Sequence, residues 1–508
     1  MEIDIDNIEG KAEKGKLIMR ESGVLMPVFS LPSEYGIGCF SVEAYDFVRK
    51  LKEAGQKKWQ VLPLGPTSFG DSPYQSFSTF AGNPYFIDLG PLIDEGLITK
   101  EECDALDFGN QRNQVDYGKM YYSRFKILDL AYQRFVKNIE YEQFVANNHW
   151  WLEDYALFMT IKGIYNGASW DCWELPHKNR EEEAMLLVKE ELREQIESFK
   201  FQQFYFANQW QGLRSYAKEN GIEIIGDIPI YVAFDSADTW GNPELFQFNE
   251  NKEPIAVAGC PPDYFSQTGQ LWGNPLYDWE YHKKTGYQWW FKRMSYTFTL
   301  FDVVRIDHFR GFDEYYSIPF GCVDAKIGKW MPGPGIEFFD ALKEEFGQQR
   351  IIAEDLGLLT DSVMGMLEES GFPGMKVLQF AFDSLGDSDY LPHKYHHNCV
   401  VYTGTHDNET TRGWISGVSE EIKEYIQEYL GKDVDVENPK VANDFIRLAM
   451  SSVANLCIIP LQDYLGLGNE GRINTPSTLG GNWTWRLEKQ FSSEVVGEMK
   501  KMTKLYDR

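Results

Sequence analysis

Short, nearly continuous apolar runs recur along the chain, and most are separated by segments of helical length. Eight of them predict strands buried on both faces. They cover Gly23–Leu31, Lys57–Leu64, Glu223–Val232, Phe301–Phe309, Arg350–Gly357, Met375–Phe382, Asn398–Asp407 and Leu456–Leu467. The pattern is typical of an α/β protein with a helix-covered parallel sheet, and eight strands can close a (β/α)₈ barrel. An open doubly wound sheet uses the same elements, so the pattern alone leaves both open.

Two intervals between the predicted strands are too long for single crossovers. Residues 65–220 predict a mostly helical insertion, whose last helix ends before Asn220-Gly221, a favourable helix C-terminus. Residues 235–300 are rich in Gly, Pro and aromatic residues and predict a loop-rich insertion packed on the barrel as a lid. No repeat or low-complexity linker is present, so we expect residues 1–508 to form one (β/α)₈ TIM barrel without a separate C-terminal β-domain.

Composition and charge narrow the class of protein. The chain has 508 residues, 43% of them hydrophobic, and a formal charge of −28 that opposes binding to nucleic acid. The acidic start MEIDIDNIEG lacks the apolar segment of a signal peptide. No apolar run approaches the roughly 18 residues that cross a bilayer. Seven dispersed cysteines without a CxxC pair fit reduced thiols, so we expect a cytoplasmic protein with no membrane partner.

Charged residues interrupt one predicted strand, VVRIDHFRGF. Arg305 and Asp307 lie two positions apart and therefore share one face of the strand. In a barrel that face points inward near the carboxyl end, where barrel active sites lie. A buried salt bridge is the alternative, because buried charges are usually paired. Three other predicted strands bring acids to the same rim, namely Asp227, then Glu354 with Asp355, and Asp407 beside His406.

Clustered carboxylates push their pKa values apart, which leaves one proton donor among ionised neighbours. Such a set beside an arginine fits glycosidic bond chemistry. The alternative is a Mg²⁺ or Zn²⁺ site formed by the same acids and His406. Arg305 would place positive charge beside that metal, and no HExxH motif occurs. A formal GxGxxG at Gly466–Gly471 precedes no helical pattern and indicates a loop, so we predict neither metal nor cofactor.

The motifs VRIDHFRGF, IIAEDLG and YTGTHDNET, in this order, resemble those of the amylomaltases, the 4-α-glucanotransferases of glycoside hydrolase family 77. The stretches GDIPIYVAFDSADTW, PPDYFSQTGQLWGNPLYDW, GNWTWRL and LPLGPTSFGDSPYQSFSTFAGNPYFIDL are equally similar to that family. The resemblance extends from Gly23 to Leu487. It implies a (β/α)₈ barrel that transfers segments of starch-type α-1,4-glucans between maltodextrins, with glucose as an acceptor, by a retaining double displacement.

The resemblance also assigns roles. Asp307 would be the nucleophile, Glu354 the general acid/base and Asp407 the group that stabilises the transition state, while Arg305 would orient the nucleophile. The residues implied to bind sugar units are Ser72, Tyr74, Asp227, Asp263, Gln270, Trp272, Arg305, His406 and Asn474.

One departure separates the chain from the α-amylases. Tyr231 and Val232 stand where those enzymes carry the Asn and His of their calcium motif, in agreement with a metal-free transferase. Two other functions remain alternatives: an α-1,4-glucan hydrolase on the same fold and a non-catalytic glucan-binding protein. The lid at residues 235–300 would favour transfer, because covering the site keeps water from the covalent intermediate.

Overall fold

The structure is a computed structural model that describes residues 20–68, 70–262, 266–357, 359–383, 385–386 and 388–508. Its strands, in chain order, are β1 Glu21–Leu25, β2 Lys58–Gln60, β3 Glu223–Pro229, β4 Ala256–Cys260, β5 Gln270–Pro275, β6 Val303–Asp307, β7 Glu314–Pro319, β8 Lys329–Pro332, β9 Ile351–Ala353, β10 Gly374–Val377, β11 Cys399–Tyr402 and β12 Leu456–Pro460.

Eight of these strands form a parallel sheet in the order β10-β11-β12-β1-β2-β3-β6-β9. Because β12 pairs with β1, the first and last strands of the chain are neighbours, which an open doubly wound sheet does not allow. The seam between β9 and β10 is bridged by the Ala353 N–H to the Pro373 carbonyl at 3.0 Å and by the Met375 N–H to the Asp355 carboxylate at 2.6 Å. The predicted barrel is confirmed.

The strands are shorter than the apolar runs that predicted them. β12 stops at Pro460, and the chain then turns into a short helix instead of continuing as a strand to Leu467. β1 stops two residues before Pro27, which has no N–H for a ladder. The stretch Gly466–Gly471 contains one 3₁₀ turn, Asn469–Gly471, followed by irregular chain, so its interpretation as a loop is confirmed.

The helices, in chain order, are α1 Val42–Glu53, α2 Leu89–Asp94, α3 Lys100–Asp104, α4 Tyr117–Arg134, α5 Ile139–Ile164, α6 Leu175–Lys178, α7 Glu182–Glu191, α8 Arg193–Glu219, α9 Ala237–Gly241, α10 Trp279–Lys284, α11 Gln288–Leu300, α12 Ile336–Phe346, α13 Asp361–Ser370, α14 Thr411–Gly417, α15 Glu420–Leu430, α16 Ala442–Ser451, α17 Leu461–Tyr464 and α18 Ser493–Leu505. Within the described ranges, no helix is long and apolar enough to cross a membrane.

Helices α2 to α8 occupy the interval between β2 and β3, and α8 is the helix that the apolar spacing predicts. It ends at Glu219 with Asn220 as the C-cap, and Gly221 follows with a φ of +71°, the left-handed conformation that closes many helices. Gln203 on α8 accepts a hydrogen bond from the Gly82 N–H at 2.7 Å and donates to the Gly82 carbonyl at 2.8 Å. These contacts attach α8 to the segment that carries Ser72 and Tyr74.

A second sheet of four antiparallel strands, in the order β5-β4-β7-β8, was not predicted. Two of its strands lie within residues 235–300, where the sequence indicates loops. β4 is the short run AVAGC, and β5, QLWGNP, contains a glycine and a proline that argue against a strand. Pairing of β4 with β7 and of β5 with β4 decides their conformation, and β5 tolerates these residues because it lies at the edge.

Candidate active site

The buried ion pair between Arg305 and Asp227 joins β6 to β3. The two residues lie opposite each other in the parallel register. One guanidinium nitrogen donates to both carboxylate oxygens of Asp227 at 2.7 Å, and the other terminal nitrogen lies 3.1 Å from Oδ1 of Asp307. The Asp227 side chain is 0% exposed, whereas that of Asp307 is 28% exposed. Arg305 therefore forms a structural ion pair with Asp227 and leaves Asp307 accessible.

Tyr74 and His406 extend this network. The Tyr74 hydroxyl lies 2.8 Å from Oδ2 of Asp227 and 2.9 Å from Nε2 of His406, and the two rings stack with centroids 5.2 Å apart. Tyr74 has one proton, which it gives to the carboxylate, so the Nε2–H of His406 must donate to the hydroxyl. Burial lowers the pKa of His406, so its imidazole is neutral and carries this single N–H.

Glu354 follows β9 and is held by two backbone N–H groups. His308 donates to Oε2 at 2.7 Å, and Leu356 donates to Oε1 at 2.8 Å. His308 is the residue after Asp307 and has a left-handed backbone with φ 53° and ψ 49°. Sequence reasoning assigned it no role, because a backbone donor leaves no mark in the identity of the residue.

The electrostatic environment favours a retained proton. Burial raises the pKa of Asp307 well above its ordinary value; Arg305 opposes this rise, and the charges of Glu354, Asp227 and Asp407 add to it. Burial also raises the pKa of Glu354, against Arg305 and the two backbone donors. The cluster therefore keeps a proton at a pH where an isolated carboxyl would have lost it, as a general acid requires. Asp307 lies against the guanidinium, so Glu354 is the better holder of that proton.

Asp407 lies beyond the end of β11, and its side chain is 43% exposed. The Asn474 amide donates to Oδ1 at 2.7 Å, and His406 Nε2 lies 3.4 Å from Oδ2. Arg472, which the sequence did not single out, donates to the backbone carbonyls of Asn474 at 2.8 Å and Asp407 at 3.3 Å. Arg472 thereby connects the segment that carries Asn474 to the one that carries Asp407. The sequence gives no signal for this role, because the arginine lies in an irregular segment.

Trp272 and Gln270 lie on β5 and approach the site from the second sheet. The indole N–H of Trp272 donates to Oε1 of Gln270 at 3.0 Å. The Trp272 ring meets the His308 ring edge-on with centroids 4.8 Å apart. This contact places β5 beside the turn that follows Asp307.

Ser72, another predicted binding residue, contacts the backbone of Tyr74. The Ser72 hydroxyl accepts the Tyr74 N–H at 3.3 Å, so it supports the loop that delivers Tyr74. Asp263 lies outside the residues that the structure describes. In the described part of the chain, no group of three or more His, Cys, Asp or Glu side chains is arranged to hold a metal ion.

Comparison with protein families gives a match to the glycoside hydrolase 77 model, described as 4-alpha-glucanotransferase, over residues 26–492. The chain is 47% identical to the 4-alpha-glucanotransferase of Clostridium butyricum over 489 residues, which covers 95% of this chain and 100% of that protein. It is 46% identical to the enzyme of Thermus thermophilus over 501 residues, with 96% and 99% coverage.

Solved structures are similar as well. The amylomaltase from Streptococcus agalactiae, in complex with acarbose, matches with a TM-score of 0.93 at 40% identity, covering 96% of this chain and 99% of that one. The amylomaltase from Corynebacterium glutamicum matches with a TM-score of 0.78 at 17% identity, covering 96% and 75%. The second match shows a shared fold.

Proposed function

Since the chain belongs to the 4-α-glucanotransferase family, glycoside hydrolase family 77, we propose that it transfers α-1,4-glucan segments from one maltodextrin to another. The observation that carries this proposal is the convergence of Asp307, Glu354 and Asp407 at the carboxyl ends of β6, β9 and β11. The acarbose bound to the Streptococcus agalactiae amylomaltase supports a sugar-chain substrate for this fold.

The first half of the reaction forms a covalent glucosyl-enzyme. Asp307, kept ionised and oriented by Arg305 at 3.1 Å, attacks the anomeric carbon of the donor. Glu354 gives its proton to the leaving glycosidic oxygen, so that the released sugar departs as an alcohol. Asp407 places negative charge near the sugar ring while the ring carries oxocarbenium character.

The second half transfers the sugar to an acceptor. Glu354, now ionised, removes the proton from an acceptor hydroxyl, which attacks the anomeric carbon and frees Asp307. The acceptor is the non-reducing end of another maltodextrin or glucose itself. Two inversions leave the product in the α configuration. Trp272, beside the Asp307–His308 turn, offers an apolar face that covers the intermediate against water.

The remaining polar residues bind the sugar at the cleaved bond. We assign this role to Ser72, Tyr74, Asp227, Asp263, Gln270, Trp272, Arg305, His406 and Asn474. The contacts among Tyr74, Asp227 and His406 support the assignment, because side chains held by hydrogen bonds orient a sugar without reorganisation. No cofactor enters this chemistry.

We infer that residues 1–508 act as one catalytic unit, with residues 65–220 and 235–300 as insertions on the barrel. The Gln203–Gly82 hydrogen bonds support the first attachment, and the pairing of β4 with β7 supports the second. We propose that the protein is cytoplasmic. The free, buried thiols of Cys39, Cys103, Cys399 and Cys457 support this, because thiols stay reduced in that compartment.

Incubation with maltotriose tests the proposed activity. A transferase produces longer dextrins together with glucose, and total reducing ends stay constant because each cleavage is matched by a new bond. A hydrolase produces shorter sugars alone, with rising reducing ends. Unchanged maltotriose would leave only glucan binding. Either of the last two results would contradict the proposal.

A further inference from the structure

The peptide group between Asp307 and His308 connects the two proposed catalytic carboxyls. Asp307 carries the nucleophile on its side chain, and the N–H of His308 donates to Oε2 of Glu354 at 2.7 Å. The Phe309 N–H donates to the Glu354 carbonyl at 3.1 Å, and the Glu354 N–H donates to the Ile306 carbonyl at 3.1 Å. The end of β6 therefore holds Glu354 at three points, twice through its backbone and once through its carboxyl group.

The His308 N–H reaches Glu354 because of an uncommon backbone conformation. With φ 53° and ψ 49°, His308 lies in the left-handed region, which Asn, Asp and His adopt more readily than other residues with side chains. A β-branched residue is strongly disfavoured there, whereas glycine adopts it freely. Strained conformations of this kind persist where the surrounding structure determines them, and they concentrate at functional sites.

We propose that His308 is a positioning residue, whose left-handed backbone sets the orientation of Glu354 relative to Asp307. The inference rests on the proposed function, because it concerns the nucleophile and the acid/base of that reaction. A retaining enzyme needs these two carboxyls about 5–5.5 Å apart. One planar peptide is a short and rigid connection between them. Rotating it would withdraw the N–H from Glu354 without removing either carboxyl.

The imidazole of His308 has a separate environment. It is half-buried, with Nε2 enclosed, and packs edge-on against Trp272 at 4.8 Å between centroids. Burial lowers the pKa of His308 to about 4, so the ring is neutral at pH 7. Every substitution of His308 removes this ring contact, whatever backbone conformation the new residue prefers. Differences among substitutions therefore report on the backbone and not on the lost ring.

Four variants form a series on this basis. His308→Gly and His308→Asn tolerate the left-handed backbone, His308→Ala tolerates it less, and His308→Val opposes it. With maltotriose we expect kcat of the Val variant to fall on the order of tenfold below that of the Gly variant, with Asn near Gly and similar KM values. Thermal unfolding shows which variants fold. Should the Val variant not fold, the Ala and Gly variants are compared instead. We then expect kcat of the Ala variant to be about threefold below that of the Gly variant.

A fluoride donor separates Glu354 from Asp307. Fluoride leaves without a proton, so the first fluoride released from α-maltosyl fluoride depends on the nucleophile but not on the acid. We expect equal rates of this first turnover in the Gly and Val variants. Equal kcat values of these two variants on maltotriose would overturn the proposal. So would an equal loss on both donors, because the turn would then act through Asp307.

The pH profile provides a third readout. The ionisable groups around Glu354 are Arg305 and Asp307 on β6, Asp355 after β9 and Tyr390 before β11. The His308 N–H favours the ionised carboxylate, so its loss raises the pKa of Glu354. The alkaline limb of kcat/KM should therefore move to higher pH in the Val variant only.

A wild-type chain that leaves maltotriose unchanged would refute the proposed function itself. If the wild type is active but the alkaline limb of kcat/KM lies at the same pH in the Gly and Val variants, only the role of His308 is refuted.

Discussion

Arg305 holds Asp227 through one guanidinium nitrogen, which donates to both oxygens of that carboxylate at 2.7 Å. The other terminal nitrogen remains for Asp307 at 3.1 Å. One arginine thus binds two carboxylates, that of Asp227, which is fully buried, and that of Asp307, which is partly exposed. The enclosed partner fixes the guanidinium, and the fixed guanidinium orients Asp307, the proposed nucleophile. The following predictions test the site built on this pair.

Replacement of Asp307 by Asn should remove the nucleophile while keeping the shape of the side chain. We expect transfer activity on maltotriose to fall by at least about a thousandfold, because the covalent intermediate can no longer form. Mass spectrometry of the enzyme after rapid mixing with a fluoride donor should show no sugar adduct. Near-full activity would mean that Asp307 is only a partner in the salt bridge.

Replacement of Glu354 by Gln should slow transfer between maltodextrins by about a hundred- to ten-thousandfold, the range typical of general acid catalysis. A fluoride donor needs no proton in the first step, so this variant should still form the covalent intermediate and accumulate it. Mass spectrometry detects the adduct. Its absence under all conditions would count against Glu354 as the acid/base.

Trp272→Ala should raise the share of covalent intermediate captured by water. The ring packs against His308, the residue after Asp307, and in the proposed function its apolar face covers the covalent intermediate. The quantity to measure is the ratio of new reducing ends to glucosyl units transferred, with maltotriose as substrate. Trp330→Ala is a matched control, because Trp330 lies on β8 at the opposite edge of the same sheet. An unchanged ratio in the Trp272 variant, with a lower rate, would limit Trp272 to donor binding.

Activity should survive treatment with EDTA. Arg305 binds both carboxylate oxygens of Asp227 and also contacts Asp307. Its guanidinium therefore balances the charge of these acids, and a chelator does not remove it. The transfer rate on maltotriose should change by less than about twofold, measured after dialysis against the chelator. A loss of activity that Ca²⁺ or Mg²⁺ restores would refute this prediction.

At the opposite end of the barrel, Glu223 should make stability depend on pH. Burial alone would raise its pKa, but hydrogen bonds from Arg350 and Lys58 lower it from 4.5 to about 2. Because the folded-state pKa is depressed, this contribution is complete above pH 4.5 and is lost as the pH falls toward 2. Glu223→Gln should lower the free energy of unfolding at pH 7 by at most about 1 kcal/mol, since the carboxylate is part-exposed.

Urea unfolding of the wild type and the Glu223→Gln variant across this pH range checks the sign. The two curves of stability against pH should converge below pH 4.5, where the wild-type carboxylate begins to lose its charge in the unfolded chain. A difference that stays constant down to pH 3 would show that Glu223 stabilises the fold through packing and not through its charge.

The sequence by itself predicted the buried strands and the acids for which we propose catalytic roles. The stretches Val303–Asp307 and Cys399–Tyr402 are short and rich in β-branched and aromatic residues, which favours strands. Asp307 and Asp407 then stand out as charges near the ends of such strands. In the proposed function their side chains carry the chemistry, so residue identity along the chain was enough to predict them. The catalytic and binding roles predicted for all the site residues, Ser72 and Asp263 included, stay predictions.

Only the tertiary structure decided how those acids are supported. β5 is a strand because β4 pairs with it, although its glycine and proline disfavour one. Glu354 is held by the backbone N–H of His308, a group that every residue but proline possesses. Arg472 reaches the carbonyl of Asp407 across 65 positions of sequence. Each of these hydrogen bonds has a backbone N–H or carbonyl as one partner, and the fold decides where that group lies, so no pattern of residues along the chain records the bond.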